Sequence, residues 1–140
     1  MNGWLGVVSR EHVQRGVALG IAQLNHGQRA GLQRMQPGDW LAYYSPRTSH
    51  PDGAPLRAFT AIGRIADSAV WEADEGNFHP FRRRVDYEPG VPEIPLADVT
   101  GQLELTRRPN WGYALRRGLL PLSEADIAVL RRAMLPGTQP

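Results

Sequence analysis

The sequence predicts an α+β fold: about six short strands, mostly antiparallel, curled into a barrel with helices packed outside it. Three observations carry that expectation. Gly and Pro number 15 and 12 among 140 residues, as suits short strands joined by tight turns. The stretches with two-residue alternation follow one another in the chain, which favours antiparallel neighbours. Helical periodicity is confined to stretches near the two ends. The length suits one domain, expected over residues 1–135, with a disordered tail over 136–140.

"GWLGVVS" reads as the first strand. Ser9 then stands at an N-cap position before "REHVQRGVAL", a helix with Val13 and Val17 on one side that stops near Gly20. "IAQLNHGQRAGLQRM" is a connector holding a turn at "NHG" and a helical turn at "AGLQRM". "QPGD" turns the chain into "WLAYYSPR", a strand with large groups on both faces: Trp40, Ala42 and Tyr44 on one, Leu41, Tyr43 and Ser45 on the other. After the polar loop "SPRTSHPDGAP" come "LRAFTAIGRIA", a long strand, then "AVWEA" and "HPFRRRVDY". "PEIPLADVTGQL" suits a turn and a short helix, and "NWGYALRRG" a loop entering a strand. "LSEADIAVLRRAML" is the clearest helix: Ser123 and Asp126 form a capping box, and Ile127, Leu130 and Met134 a buried stripe.

Composition excludes several chemistries. Without cysteine there are no disulfides or thiolates, and the four histidines lack metal-ligand spacing, so no metal or cofactor is expected. No apolar run reaches membrane-spanning length, and a cytoplasmic protein is expected. All sixteen basic residues are arginine, so no lysine can act as nucleophile or general base. No phosphate loop, dinucleotide-binding glycine pattern or nucleophile elbow is present. His12 follows Ser9 by three residues without an orienting carboxylate, and Glu11 and Asp39 read as a helix-start charge and a turn residue.

What remains is arginine interleaved with rings. "FRRRVDY", "TRRPNWGYALRRG" and "LRRAML" hold nine of the sixteen arginines, although the net charge is only +2. Trp111 and Tyr113 sit in a glycine-containing segment flanked by arginines, and Asn25 and His26 occupy a turn. Asn carries both a donor and an acceptor, as reading a base edge requires, and rings can stack on bases.

"WLGVVSREHVQRGV", "QLNHG", "LQRMQPGDWLAYYSP", "AFTAIGRI", "FHPFRRRVDY" and "NWGYALRRG", in that order, resemble a stand-alone EVE domain over nearly the whole chain. Arginine stands where such domains are expected to carry lysine, for instance at Arg29, Arg34, Arg107 and Arg108, which keeps the charge. The resemblance implies a PUA-like pseudo-barrel and a nucleic-acid partner, RNA or DNA, whose modified base enters a pocket. Carried over by position, that pocket comprises Ser9, Asn25, His26, the end of the "YYS" strand, Trp111 and Tyr113, with Tyr44 packed inward and Tyr43 and Ser45 turned to the ligand. Arg82, Arg83, Arg84, Arg107, Arg108 and Arg116 would hold flanking phosphates.

Two other functions compete with this non-catalytic one. Related ASCH domains include amidohydrolases acting on acetylated cytidine, a chemistry that relies on a lysine with a carboxylate, and the chain has no lysine. A small-molecule or protein-interaction module could use the same cleft, and the near-neutral charge keeps that reading alive.

Overall fold

The computed structural model describes residues 2–135. In chain order they form β1 (Gly3–Val7), α1 (Arg10–Leu19), β2 (Ile21–Ala22), α2 (Ala30–Gln33), β3 (Trp40–Arg47), β4 (Pro55–Glu72), β5 (Phe81–Tyr87), β6 (Ile94–Pro95), α3 (Leu96–Val99), α4 (Trp111–Ala114), β7 (Leu119–Leu122) and α5 (Glu124–Met134). Short 3-10 turns lie at Asn25–Gly27, Thr100–Gln102, Leu105–Arg107 and Leu115–Arg117. The strands run β2-β5-β4-β3-β1-β7, with β6 against β4, and every pairing but β1–β3 is antiparallel. The architecture is thus the expected α+β one. The tail expected over 136–140 lies outside the described residues.

β3 has aromatic rings on both faces because it separates two cores. Trp40, Ala42 and Tyr44 join Leu5, Phe59 and Leu120 beneath Ile127, Leu130 and Met134 of α5. Leu41 and Tyr43 join Trp4, Ala61, Ile65 and Val85 beneath Val13 of α1 and Leu32 of α2. Two-residue alternation feeds one strand into both layers, so each face is apolar for a packing reason. Gly6 pairs with Tyr43 in the parallel ladder, and a Cβ there would sit 2.8 Å from the tyrosine ring. The glycine makes room for that ring.

Several local expectations need correction. "LRAFTAIGRIA" and "AVWEA" form a single strand, β4, whose register against β5 shifts between Ile65 and Val70, so a bulge replaces the expected break. "NWGYALRRG" is not a loop but the helical turns of α4 and Leu115–Arg117, which deliver the chain to β7. Val13 is buried in α1, whereas Val17 is exposed. Ser9 caps α1 by accepting from His12 N at 3.3 Å, and Gly20 ends it at φ 69°.

At α5 only half of the capping box forms. Ser123 Oγ accepts from Asp126 N at 3.1 Å. The buried Asp126 carboxylate instead accepts from Glu104 N (2.7 Å) and Leu105 N (3.0 Å). It therefore anchors the segment leading to Arg107 and Arg108.

Candidate functional site

β1 ends at a cleft of about 560 Å³, within the roughly 300–1,000 Å³ of typical ligand sites. Its walls come from Val7–Ser9 at the end of β1, the first turns of α1 (His12, Arg15), Gln23 after β2, the Asn25–Gly27 turn, Phe78 from the β4–β5 hairpin, and Leu115, Arg116 and Gly118 before β7. His50 adds a ring from the β3–β4 loop, which α1 holds through Glu11 N donating to Thr48 O at 3.0 Å.

The turn at "NHG" is built by three consecutive left-handed residues, Asn25 (φ 51°), His26 (φ 60°) and Gly27 (φ 80°). Such a backbone is costly for residues with a Cβ and persists only where its surroundings hold it. Two contacts do so. A Cβ on Gly27 would lie 2.6 Å from Pro80 Cβ, so the turn rests against the β4–β5 hairpin. A Cβ on Gly118 would lie 2.1 Å from Asn25 Oδ1, so Gly118 leaves the space that the Asn25 carboxamide fills. Among the described residues, neither that carboxamide nor the His26 ring has a hydrogen-bond partner within the chain.

His12, Arg15 and Gln23 of the lining belong to a polar network. His12 Nε2 donates to Gln23 O at 2.7 Å; a carbonyl only accepts, so Nε2 carries a proton. Arg82 donates from Nε to Gln23 Oε1 (3.0 Å) and from Nη2 to Glu75 Oε2 (2.6 Å), and Arg15 donates to the same carboxylate. His12, His26 and His50 do not form a ligand set, and no three His, Asp or Glu side chains among the described residues converge as one.

Ser9, Asn25 and His26, three of the expected pocket residues, therefore line one cleft, and Arg116, expected to hold a phosphate, lines it with them. Tyr43 and Ser45 do not. Tyr43 is 2% exposed, and Ser45, at 0%, bonds Thr60 Oγ1 at 2.8 Å. Tyr87 Oη donates to Ile21 O at 2.7 Å, so the Tyr43 hydroxyl donates to Tyr87 Oη at 3.0 Å. Burial drives the Tyr43 pKa up to about 12 and that of Tyr87 well above 10.0. Trp111 is half-buried against the α5 core and Tyr113 stands outside the cleft, 71% exposed, so neither belongs to a cage around it.

Of the arginine triplet, Arg83 is reassigned. Arg83 is 2% exposed and donates to Leu32 O, Met35 O and Asp67 O at 2.6 to 3.2 Å. Burial lowers its pKa, and the charges of Asp67 and Asp39 oppose that shift. Arg82 is held by Glu75 and Gln23, and Arg84 lies over Trp71 and 3.7 Å from Asp67. Arg107 and Arg108 are exposed and make no ion pair among the described residues.

Sequence reasoning missed Arg15, Gln23, His50 and Phe78 as cleft residues, and gave His12 no binding role. Phase along α1 could have found two of them, because positions 9, 12 and 15 share a helix face. Phe78 follows the tight turn "EGN" and is 44% exposed; nothing local in the sequence shows that the β4–β5 hairpin carries it to the cleft.

Comparison with known proteins gives the family and the fold. The EVE domain model matches residues 2–133. The chain is 53% identical over 137 residues to a UPF0310 protein of Renibacterium salmoninarum, covering 98% of each, and 42% identical over 135 residues to UPF0310 protein YdcG of Bacillus subtilis, covering 95% of this chain and 92% of that one. Among solved structures, a Pseudomonas putida protein is similar at TM-score 0.60 and 20% identity, over 91% of this chain and 96% of that one. Human THYN1, solved in complex with DNA containing 5-methylcytosine, is similar at TM-score 0.55 and 14% identity over 100% of both chains. At such identities the likeness concerns the fold, a barrel-like α+β one. No helix among the described residues is long and apolar enough to cross a membrane. By its match across nearly its whole length and by its close relatives, the chain belongs to the EVE domain family.

Proposed function

We propose that this chain is a non-catalytic nucleic-acid-binding module whose cleft accepts a single modified nucleobase, and that it acts in the cytoplasm without a cofactor. One observation carries the reading. The Asn25 carboxamide stands at the cleft on a left-handed turn, with its donor and acceptor uncommitted within the chain. A carboxamide so held offers the paired donor and acceptor that a base edge presents in return. Phe78 and the imidazoles of His12, His26 and His50 supply planar surfaces for stacking. Arg116 at the rim, with Arg107 and Arg108 nearby in sequence, supplies positive charge for flanking phosphates. The similarity in fold to human THYN1, whose structure contains 5-methylcytosine DNA, makes modified cytosine the first base to test.

The test is a fluorescence-anisotropy panel of DNA and RNA oligonucleotides that differ only in one central base, modified or not. Preference for a modified base is expected, with Asn25→Gly abolishing the preference while keeping the left-handed turn. Equal binding of all bases by both proteins would sink the reading. A salt titration separates it from a small-molecule site, since phosphate contacts make affinity fall steeply with salt. Incubation with modified nucleosides, followed by mass analysis, is expected to return them unchanged; a converted product would make the chain an enzyme.

A further inference from the structure

We propose that Tyr113 is a stacking shelf outside the cleft for the base next to the one the cleft holds, so that the preferred ligand is a single strand. The inference rests on the reading of the cleft as a nucleobase site and adds a second subsite and a strand type to it.

The local structure turns Tyr113 outward. Asp126 pins the chain at Glu104 and Leu105, and Asn110, left-handed at φ 60°, starts α4. Trp111 packs on the α5 core, and two residues later Tyr113 projects into water. A lone exposed ring is common on protein surfaces and needs no purpose. This one has two features beyond exposure. The Arg116 guanidinium lies 5.3 Å from the centre of the ring and also lines the cleft, so shelf and cleft are one side chain apart. The segment that carries it also holds only cationic charge. Between residues 105 and 123 the chain carries Arg107, Arg108, Arg116 and Arg117 and no carboxylate. None of the four makes an ion pair among the described residues, although Arg107 donates to Gly101 O at 3.4 Å.

A ring with free surface among unneutralised guanidinium groups suits a planar, anion-linked partner. Base stacking on such a ring tolerates any base and needs an exposed base face. A duplex hides those faces between its own base pairs, whereas an unpaired strand presents them. The shelf thus favours a single strand threaded from cleft to Tyr113, its phosphates beside Arg116 and Arg117.

The experiment measures competition, by fluorescence anisotropy, of 5-methyldeoxycytidine monophosphate, a trinucleotide with that base in the middle, and a blunt duplex containing the same trinucleotide. The trinucleotide is expected to bind about tenfold more tightly than the mononucleotide. Much of that gain should persist at salt concentrations that suppress phosphate contacts. Tyr113→Ala should lose most of the gain and leave mononucleotide binding unchanged, while Tyr113→Phe keeps it. Because the side chain is solvent-exposed, both variants are expected to fold, which circular dichroism checks. A full gain in Tyr113→Ala would overturn the shelf and leave the cleft standing. A duplex that binds as tightly as the trinucleotide would overturn the strand preference. A mononucleotide that does not compete at all would remove the cleft reading, and the shelf with it.

Discussion

Two arginine-rich segments that look alike as sequence have opposite fates in the fold. In "FRRRVDY" the arginines lie on β5 beside the bulged half of β4, and the fold uses all three. Arg83 is taken inward to bind backbone carbonyls, Arg82 joins Glu75 and Gln23, and Arg84 covers Trp71. In "TRRPNWGYALRRG" the chain is short helical turns at the surface, without a carboxylate of its own, and its arginines make no ion pair among the described residues. A charge cluster can serve a ligand only where the fold leaves it unneutralised. Arg83 and Arg82 of the first segment are committed within the chain, and the second segment is available to a ligand.

The largest effect that follows is on stability. Arg83→Ala would leave the Leu32, Met35 and Asp67 carbonyls without their donor, at a cost of about 3–5 kcal/mol in chemical denaturation. Per folded molecule, its nucleic-acid affinity should not change. A stable Arg83→Ala protein with weakened binding would return this residue to the phosphate-contacting set.

The buried tyrosine pair sets a second effect. The Tyr43 pKa rises in the fold from 10.0 to about 12, so the unfolded chain loses that proton first. The associated stability is present below pH 10 and is lost as pH climbs toward 12, by about 3 kcal/mol in all. Tyr43→Phe should flatten that part of the stability–pH curve. A curve of unchanged steepness would mean that this hydroxyl is not buried in solution.

Gly118→Ala is a smaller perturbation aimed at the cleft. Its φ of 78° and the nearness of Asn25 Oδ1 both oppose a methyl group. A loss of about 1–2 kcal/mol is expected, together with weakened base discrimination. Normal discrimination would show that the Asn25 position is not what reads the base.

The smallest stability effect belongs to the exposed arginines. Changing Arg107, Arg108 and Arg117 to Gln should alter stability by no more than about 0.5 kcal/mol per site. The slope of log affinity against log salt should nevertheless fall by about 0.7 for each single-strand phosphate contact removed. An unchanged slope would locate the phosphate contacts elsewhere.

Much of the fold was legible because its signals are local. Caps at Ser9 and Ser123, the stop at Gly20, and the stripe of Ile127, Leu130 and Met134 are written within a few residues each. The fate of β3 was not, because alternation shows that a strand has two apolar faces but not what covers the second one. Tyr43 and Ser45 were therefore given to a ligand when α1, α2 and Thr60 already claim that face. Arg83 failed for a similar reason: its partners are carbonyls 16 to 51 residues away, which no spacing rule reaches. The cleft was half legible. The turn "NHG" marks itself by composition, whereas His50 and Phe78 arrive from loops whose course only the three-dimensional fold determines.

The most direct test of the account is to map amide chemical shifts by nuclear magnetic resonance during titration with an oligonucleotide centred on 5-methylcytosine. The account predicts the largest changes at Val7–Ser9, Asn25–Gly27 and Arg116–Gly118, with little change at Tyr43 or Arg83. Changes concentrated on β5 around Arg82–Arg84, with the Asn25–Gly27 turn silent, would contradict it.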